Sequence, residues 1–185
     1  MKKILIIIAI SLCLIIPSQA NDIKDFQIDG ISIGDSLLDY YNEKEISKAL
    51  DVYGDKKYTQ KTLFANQSSA YEQLQFAYKS SDRKKIIVGL GGVIFFSNNI
   101  SKCKKEMKKI SAEVTNLFPN TNKKEWGKSK MSGGQGDYFP ISFNFADGSA
   151  AMVACYEWKE ESGIEDNLKV TLYSAEFNQH LNKNN

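Results

Sequence analysis

Histidine is nearly missing: the chain has one, His180, in 185 residues. A serine or cysteine nucleophile needs a base beside it, and a zinc centre built on His and Cys needs several ligands, so both chemistries lack their parts. His180 falls in a polar C-terminal stretch and reads as a solvated surface residue. Arginine is missing where charge is densest. Residues 102–130 carry nine lysines and no arginine, against Glu106, Glu113 and Glu125. Lysines alone, with few aromatics between them, do not fit nucleic-acid recognition, so no nucleic-acid partner is expected. Phosphate loops are missing as well. Gly89, Gly91 and Gly92 lie inside an apolar run with no Lys-Ser/Thr after them, and Gly127-Lys128-Ser129 has Asn122 where a Walker motif needs glycine. The acidic group Glu157, Glu160, Glu161, Glu165 and Asp166 lacks the alternating spacing and central glycine of a calcium loop and reads as a solvated turn. No cofactor and no metal is expected.

The apolar stretch at the N-terminus runs from Ile4 to Ile16, thirteen residues, whereas a membrane-spanning helix needs about 20. Lys2 and Lys3 precede it and Pro17-Ser18-Gln19-Ala20 follow, which is the pattern of a secretory signal peptide over residues 1–20. An uncleaved anchor is the competing reading. Lipidation at Cys13 is rejected because bulky Leu12 precedes it. Removal of this segment takes away two lysines and no acid, leaving 24 − 2 = 22 basic against 22 acidic residues. The mature chain, residues 21–185, is then neutral, forms one domain without a transmembrane segment, and is periplasmic or secreted. Cys13 leaves with the signal, so Cys103 and Cys155 remain as a pair in an oxidising compartment.

The pattern predicts an α+β domain: a mainly antiparallel sheet, one long amphipathic helix packed on it, and short helices near both termini. Residues 26–35 read as a short strand broken by Gly30 and Gly34, followed by a helix capped at Asp35 or Ser36. Asn42 and Glu45 form a capping box for a second short helix. Residues 57–64 read as an edge strand and 71–79 as a half-buried one. Residues 84–96 are apolar on both faces and read as the central strand, its glycines marking a bulge or a closely crossing helix. The helix spans 99–118, with Ile100, Cys103, Met107, Ile110, Val114 and Leu117 as its buried stripe. Residues 120–137 read as a long polar loop, mobile or functional. Strands at 138–145, 150–158 and 168–173 precede a terminal helix capped by Ser174.

Hairpin parity decides where Cys155 points. With Ala146-Asp147-Gly148 as a three-residue loop and Gly148 left-handed, Phe145 opposes Ser149. Phe143 then opposes Ala151, Ile141 opposes Val153, and Phe139 opposes Cys155. Cys155 therefore faces the core, and a helix-to-sheet disulfide with Cys103 follows.

What remains for function is a charge dipole. The lysine-rich helix face at Lys102, Lys105 and Lys109, with Trp126 in the following loop, is the candidate partner-binding surface, suited to an acidic envelope protein or an anionic surface. This favours a non-enzymatic binding module. The alternative is a hydrolase that uses dispersed carboxylates in a cleft. The stretch Gln27-Ile28-Asp29-Gly30-Ile31-Ser32-Ile33-Gly34-Asp35-Ser36-Leu37-Leu38-Asp39-Tyr40 and the later run GGVIFFSNNISKCKKEM resemble a group of small exported proteins of marine bacteria. That resemblance implies one compact exported domain and no site residues. More loosely, the strand, Ile33-Gly34 and helix are similar to the small α+β modules of envelope-assembly lipoproteins, without their lipidated cysteine.

Overall fold

A computed structural model describes residues 22–51, 55–65, 67 and 69–184. The signal segment proposed for residues 1–20 lies outside them. The fold is α+β, mainly antiparallel sheet with one long helix packed on it. The chain opens with a hairpin of β1 (Gln27–Ile28) and β2 (Ile31–Ser32). Asp29 and Gly30 turn it with φ of 56° and 78°, which is why the predicted single strand doubles back. A 3-10 turn, Leu37–Asp39, follows under a Ser36 cap, and then α1 (Glu43–Lys48) under the Asn42/Glu45 capping box.

The main sheet comprises β3 (Leu50–Asp51), β4 (Tyr58–Phe64), β5 (Gln73–Lys79), β6 (Ile87–Phe95), β7 (Asn122–Glu125), β8 (Ser129–Lys130), β9 (Gly136–Asn144), β10 (Ala150–Trp158) and β11 (Asn167–Tyr173). The order is β3-β4-β5-β6-β11-β10-β9-β7, with β8 also on β9, and every pairing is antiparallel. β6 is central, as its two apolar faces require. β4 is not the edge: the two-residue β3 lies outside it, tied by Lys61 to Asp51 at 2.7 Å.

α2 (Ile100–Leu117) and α3 (Ala175–Asn184) cover opposite faces. α2 and the N-terminal segment build the main core on one face, where Leu168, Val170 and Leu172 meet Cys103, Met107 and Val114. Residues 34–37 hold the other half of that face through backbone bonds from Gly34 N–H to Ile87 O and from Leu37 N–H to Lys85 O. The buried line of α2 runs through Cys103, Met107, Ser111 and Val114, whereas Leu117 is 54% exposed. Ile100 and Ile110 of the expected stripe are half-buried against the same core, so Leu117 alone leaves it, and Phe118, just past the helix end, packs between Phe26 and Phe145 at 5.6 and 5.1 Å. α3 packs at one end of the second face, where Phe177 meets Tyr58, Ala77 and Tyr173. The glycine reading of β6 holds at Gly89: a Cβ there would lie 2.7 Å from the Phe177 ring, and the β5–β6 register shifts beside it, between Ala77 and Tyr78.

The β9–β10 hairpin has the expected register, Phe143 with Ala151, Ile141 with Val153, Phe139 with Cys155. Its loop closes by Phe145 N–H to Ser149 O, with Gly148 at φ 89°. Cys103 and Cys155 are joined as a disulfide, their Cα atoms 6.0 Å apart. The long polar loop is a correction. Residues 120–137 are folded onto the sheet as β7, β8 and a 3-10 turn, because their lysines and serines need only one paired edge and no buried face. His180 is also a correction to a solvated reading: it pairs through Nε2 with Asp55 and lies against the Tyr58 ring at 4.7 Å.

Two outcomes follow for stability. Cys103 and Cys155 close a 52-residue separation; by the chain-entropy argument their replacement together by alanine lowers unfolding free energy by about 4 kcal/mol. Mass spectrometry of the untreated protein should find neither thiol alkylated, and two reactive thiols would contradict the bridge. Glu176 on α3 is held down at a pKa of about 2, first by the hydrogen bond from Lys79 and then by Lys57 and Tyr58. A depressed carboxyl stabilises above its ordinary value of 4.5 and loses that contribution as pH falls to about 2. Its side chain is 47% exposed, so Glu176→Gln costs about 1 kcal/mol or less at pH 7. Denaturant titrations of variant and parent should converge near pH 2.

Candidate functional site

Alternation along β10 sends Cys155 to the α2 side, so Ala154, Tyr156 and Trp158 face the other way. Cross-strand pairing adds their neighbours. Tyr138 opposes Tyr156, Asn167 opposes Tyr156 from the other side, and Lys169 opposes Ala154. These residues lie on the second face, at the end away from α3. The Tyr138 and Tyr156 rings are 5.6 Å apart and 13° from parallel, and Tyr156 and Trp158 are 6.3 Å apart and 22° from parallel. All three are half-buried.

Lys169 places its ammonium 5.0 Å from the centre of the Tyr156 ring. No carboxylate lies within ion-pair distance of it among the described residues. Burial pushes its pKa below the ordinary lysine value, since the charged form gives up hydration without gaining a counter-ion. Burial also pushes the Tyr156 hydroxyl up, with Tyr173 and Tyr138 adding to it. Two buried polar atoms beside Tyr156 have no hydrogen-bond partner among the described residues: the Trp158 indole N–H and Asn167 Oδ1. Asn167 is 2% exposed, and its Nδ2 donates to Glu165 O. The Lys169 ammonium thus stands over the Tyr156 ring, and the two unpartnered atoms lie buried below the surface on neighbouring residues.

Trp158 also lines a cavity of about 450 Å³ with Lys128, Lys130, Asp137, Glu157 and Lys159. Its two carboxylates are paired within it, whereas Lys159 is exposed and makes no ion pair among the described residues. Asp137 is ion-paired with Lys130 at 2.7 Å and Lys128 at 2.9 Å, and Lys128 reaches Glu157 at 3.8 Å. Lys130, then Lys128, holds the Asp137 carboxyl below the usual range.

The lysines singled out from sequence lie elsewhere. Lys102, Lys105 and Lys109 are exposed on the outer side of α2, Lys109 beside Glu106 at 3.2 Å and Lys102 5.9 Å from the Phe96 ring. Trp126 follows β7 and belongs to the opposite face: its N–H donates to Pro140 O and its Nε1 to Ser142 Oγ, with Lys124 3.4 Å from its ring. The sheet separates it from the α2 lysines, so the single surface expected from sequence is two. Tyr138, Tyr156, Trp158, Asn167 and Lys169 were not singled out. The signal for the aromatics was available in the hairpin register, which places Tyr138 opposite Tyr156 as surely as Phe139 opposite Cys155.

No family model matches this chain, and no curated protein or solved structure matches it. Among the described residues no helix is long and apolar enough to cross a membrane, and no group of three or more His, Cys, Asp or Glu is placed to hold a metal ion.

The unpaired ammonium gives a testable sign. Because the folded pKa of Lys169 is lowered, its charge opposes folding below that pKa, and the opposition is gone by the ordinary lysine value of 10.5. Lys169→Met is expected to raise stability by roughly 0.5–2 kcal/mol at pH 7. Denaturation at rising pH should show the gain shrinking toward zero at 10.5; a loss of stability at neutral pH would show that the ammonium is well accommodated.

Proposed function

We propose that this chain is an exported, non-enzymatic binding module of the periplasm or the cell exterior, and that its recognition surface is the sheet face around Tyr156. The observation that carries this reading is Lys169: a half-buried ammonium against an aromatic ring, without a carboxylate in reach. A charge kept in that setting lowers folding stability and gains its counter-ion when an anionic partner docks. The same surface offers near-parallel rings for packing. The disulfide between Cys103 and Cys155 is compatible with an extracytoplasmic location. The signal pattern at residues 1–20 supports export to the periplasm or beyond.

The α2 lysines are the weaker surface. They are solvated, and solvated charges gain little on pairing. The hydrolase alternative would use Asp137 and Glu157, which face one another across β9 and β10 in the lysine-rimmed cavity. A glycoside acid needs a raised pKa, and Lys130 and Lys128 move Asp137 the opposite way.

A ligand screen followed by amide chemical shifts separates these readings. A mixed set of small acids, sugars and peptides is expected to perturb residues 138, 156, 158, 167 and 169 and to leave every ligand chemically intact. Perturbation confined to Lys102, Lys105 and Lys109 would move the surface to α2. New product resonances that vanish with Asp137→Asn would overturn the non-enzymatic reading.

A further inference from the structure

We infer that the open edge of β7 takes up an extended acidic segment of a partner protein as one more strand of the sheet. The inference goes beyond the Tyr156 reading and does not rest on it, because it concerns the rim of the sheet and not its face.

β7 and β8 follow one another along the outer side of β9, and β7 ends the strand order. In an antiparallel pair successive residues turn their backbone groups alternately toward the neighbour and away from it. Trp126 N–H donates to Pro140 O, and the register continues through Lys124 with Ser142 and Asn122 with Asn144. Lys123 and Glu125 therefore turn their N–H and C=O groups outward, where neither has a backbone partner among the described residues. An added strand meets such groups with its own backbone at the same spacing. The opposite rim offers less, since β3 is two residues long.

Charge selects the sign of the strand. On the α2 side of this rim lies a groove of about 220 Å³, lined by half-buried Phe139 with Lys104, Lys108 and Glu125. On the other side Trp126 is 54% exposed, with Lys124 over its ring. Lys104, Lys108 and Lys124 make no ion pair among the described residues. The carboxylates nearby are met: Glu125 by Lys123, Glu106 by Lys109, and Asp137 by Lys128 and Lys130. Both flanks of an incoming strand thus meet unpaired ammonium groups. Solvated charges of this kind give selectivity, while the backbone ladder gives affinity. An acidic sugar, a nucleic acid or a lipid surface would meet the lysines but brings no row of peptide N–H and C=O groups. A second copy would bring the row but not the charge. Every antiparallel register that pairs three or more residues of two β7 strands sets a lysine opposite a lysine.

The test uses the mature protein at low salt with synthetic probes. These are a peptide of alternating Asp and Val, its Lys/Val counterpart, two forms of the acidic peptide N-methylated at one or the other alternate set of amides, and a uronic-acid oligosaccharide. Calorimetry is expected to show the acidic peptide bound at least tenfold more tightly than the Lys/Val peptide or the oligosaccharide. One methylated form should lose roughly tenfold or more and the other should stay near the parent peptide, because only one set of amides faces β7. Amide exchange at Lys123 and Glu125 should slow on binding. Glu125→Gln removes a carboxylate and keeps the N–H, and should tighten binding. Glu125→Pro removes both and should weaken it several-fold, its thermal melt confirming the fold. Absence of binding by the acidic peptide, equal losses from the two methylated forms, equal binding of the oligosaccharide, or Glu125→Pro binding as tightly as Glu125→Gln would each overturn the inference. Amide shifts confined to residues 138, 156, 158, 167 and 169 would also overturn it, and would leave the Tyr156 reading standing. A dimer whose Lys123 and Glu125 amides are protected without peptide would give the edge to a second copy and overturn it as well.

Discussion

One covalent constraint orders both faces of the sheet. Cys155 is bonded to Cys103 on α2, so the α2 side of β10 is fixed at that residue. Side chains alternate along a strand, and the neighbours of a core residue must therefore face away from the core. Ala154, Tyr156 and Trp158 have no other place to go. The register of β9 and β11 against β10 then carries the same division across the sheet, setting Tyr138 and Lys169 on the far side from α2. A slip of one residue would bury Tyr156 beneath the helix and expose Cys155. The bridge and the candidate site are thus two consequences of one parity.

The two faces differ in how fully they are satisfied. On the α2 side, aliphatic residues of β5, β6, β9, β10 and β11 share one core with the helix stripe, and the aromatic contacts of Phe118 with Phe26 and Phe145 close the helix end. On the other side α3 covers only the end bearing Tyr58, Ala77 and Tyr173, and Gly89 in β6 provides the space its Phe177 requires. Glu176 pins α3 there through Lys79, Lys57 and Tyr58. What α3 leaves uncovered is the aromatic end of the face, and that is where the orphan polar atoms and the unpaired lysine lie.

Much of the architecture was legible because it depends on local pattern. The Asn42 capping box, the α2 boundaries, the central position of β6 and the whole hairpin register follow from caps, periodicity and turn chemistry. Features decided by non-local packing were not legible. Leu117 fits the helical period of α2, yet Phe118 takes its place in the core. His180 lies among polar residues in sequence, and its partner Asp55 is 125 residues away. Residues 120–137 carry too few apolar side chains to announce strands, and they are held by pairing to β9 through backbone bonds, which composition does not report. Trp126 was joined with the α2 lysines because both are near in sequence; strand geometry put a sheet between them. Within the site, the Tyr138 and Tyr156 pairing could be read from register, whereas the lack of a carboxylate near Lys169 is a property of the assembled surface alone.

The lysines of this chain show why position outweighs number. Those on α2 stand in water, where hydration already meets their charge and a docking anion has little to add. Those of the β8 edge are matched: Asp137 is ion-paired with Lys128 and Lys130, so an incoming anion would first have to displace a carboxylate. Lys169 has neither water in full nor a counter-ion, and its lowered pKa is the measure of that shortfall. Interaction energy is gained where a group is least satisfied before binding, because there the partner replaces nothing. A surface lysine count directs attention to α2. The balance of desolvation against pairing directs it to Tyr156.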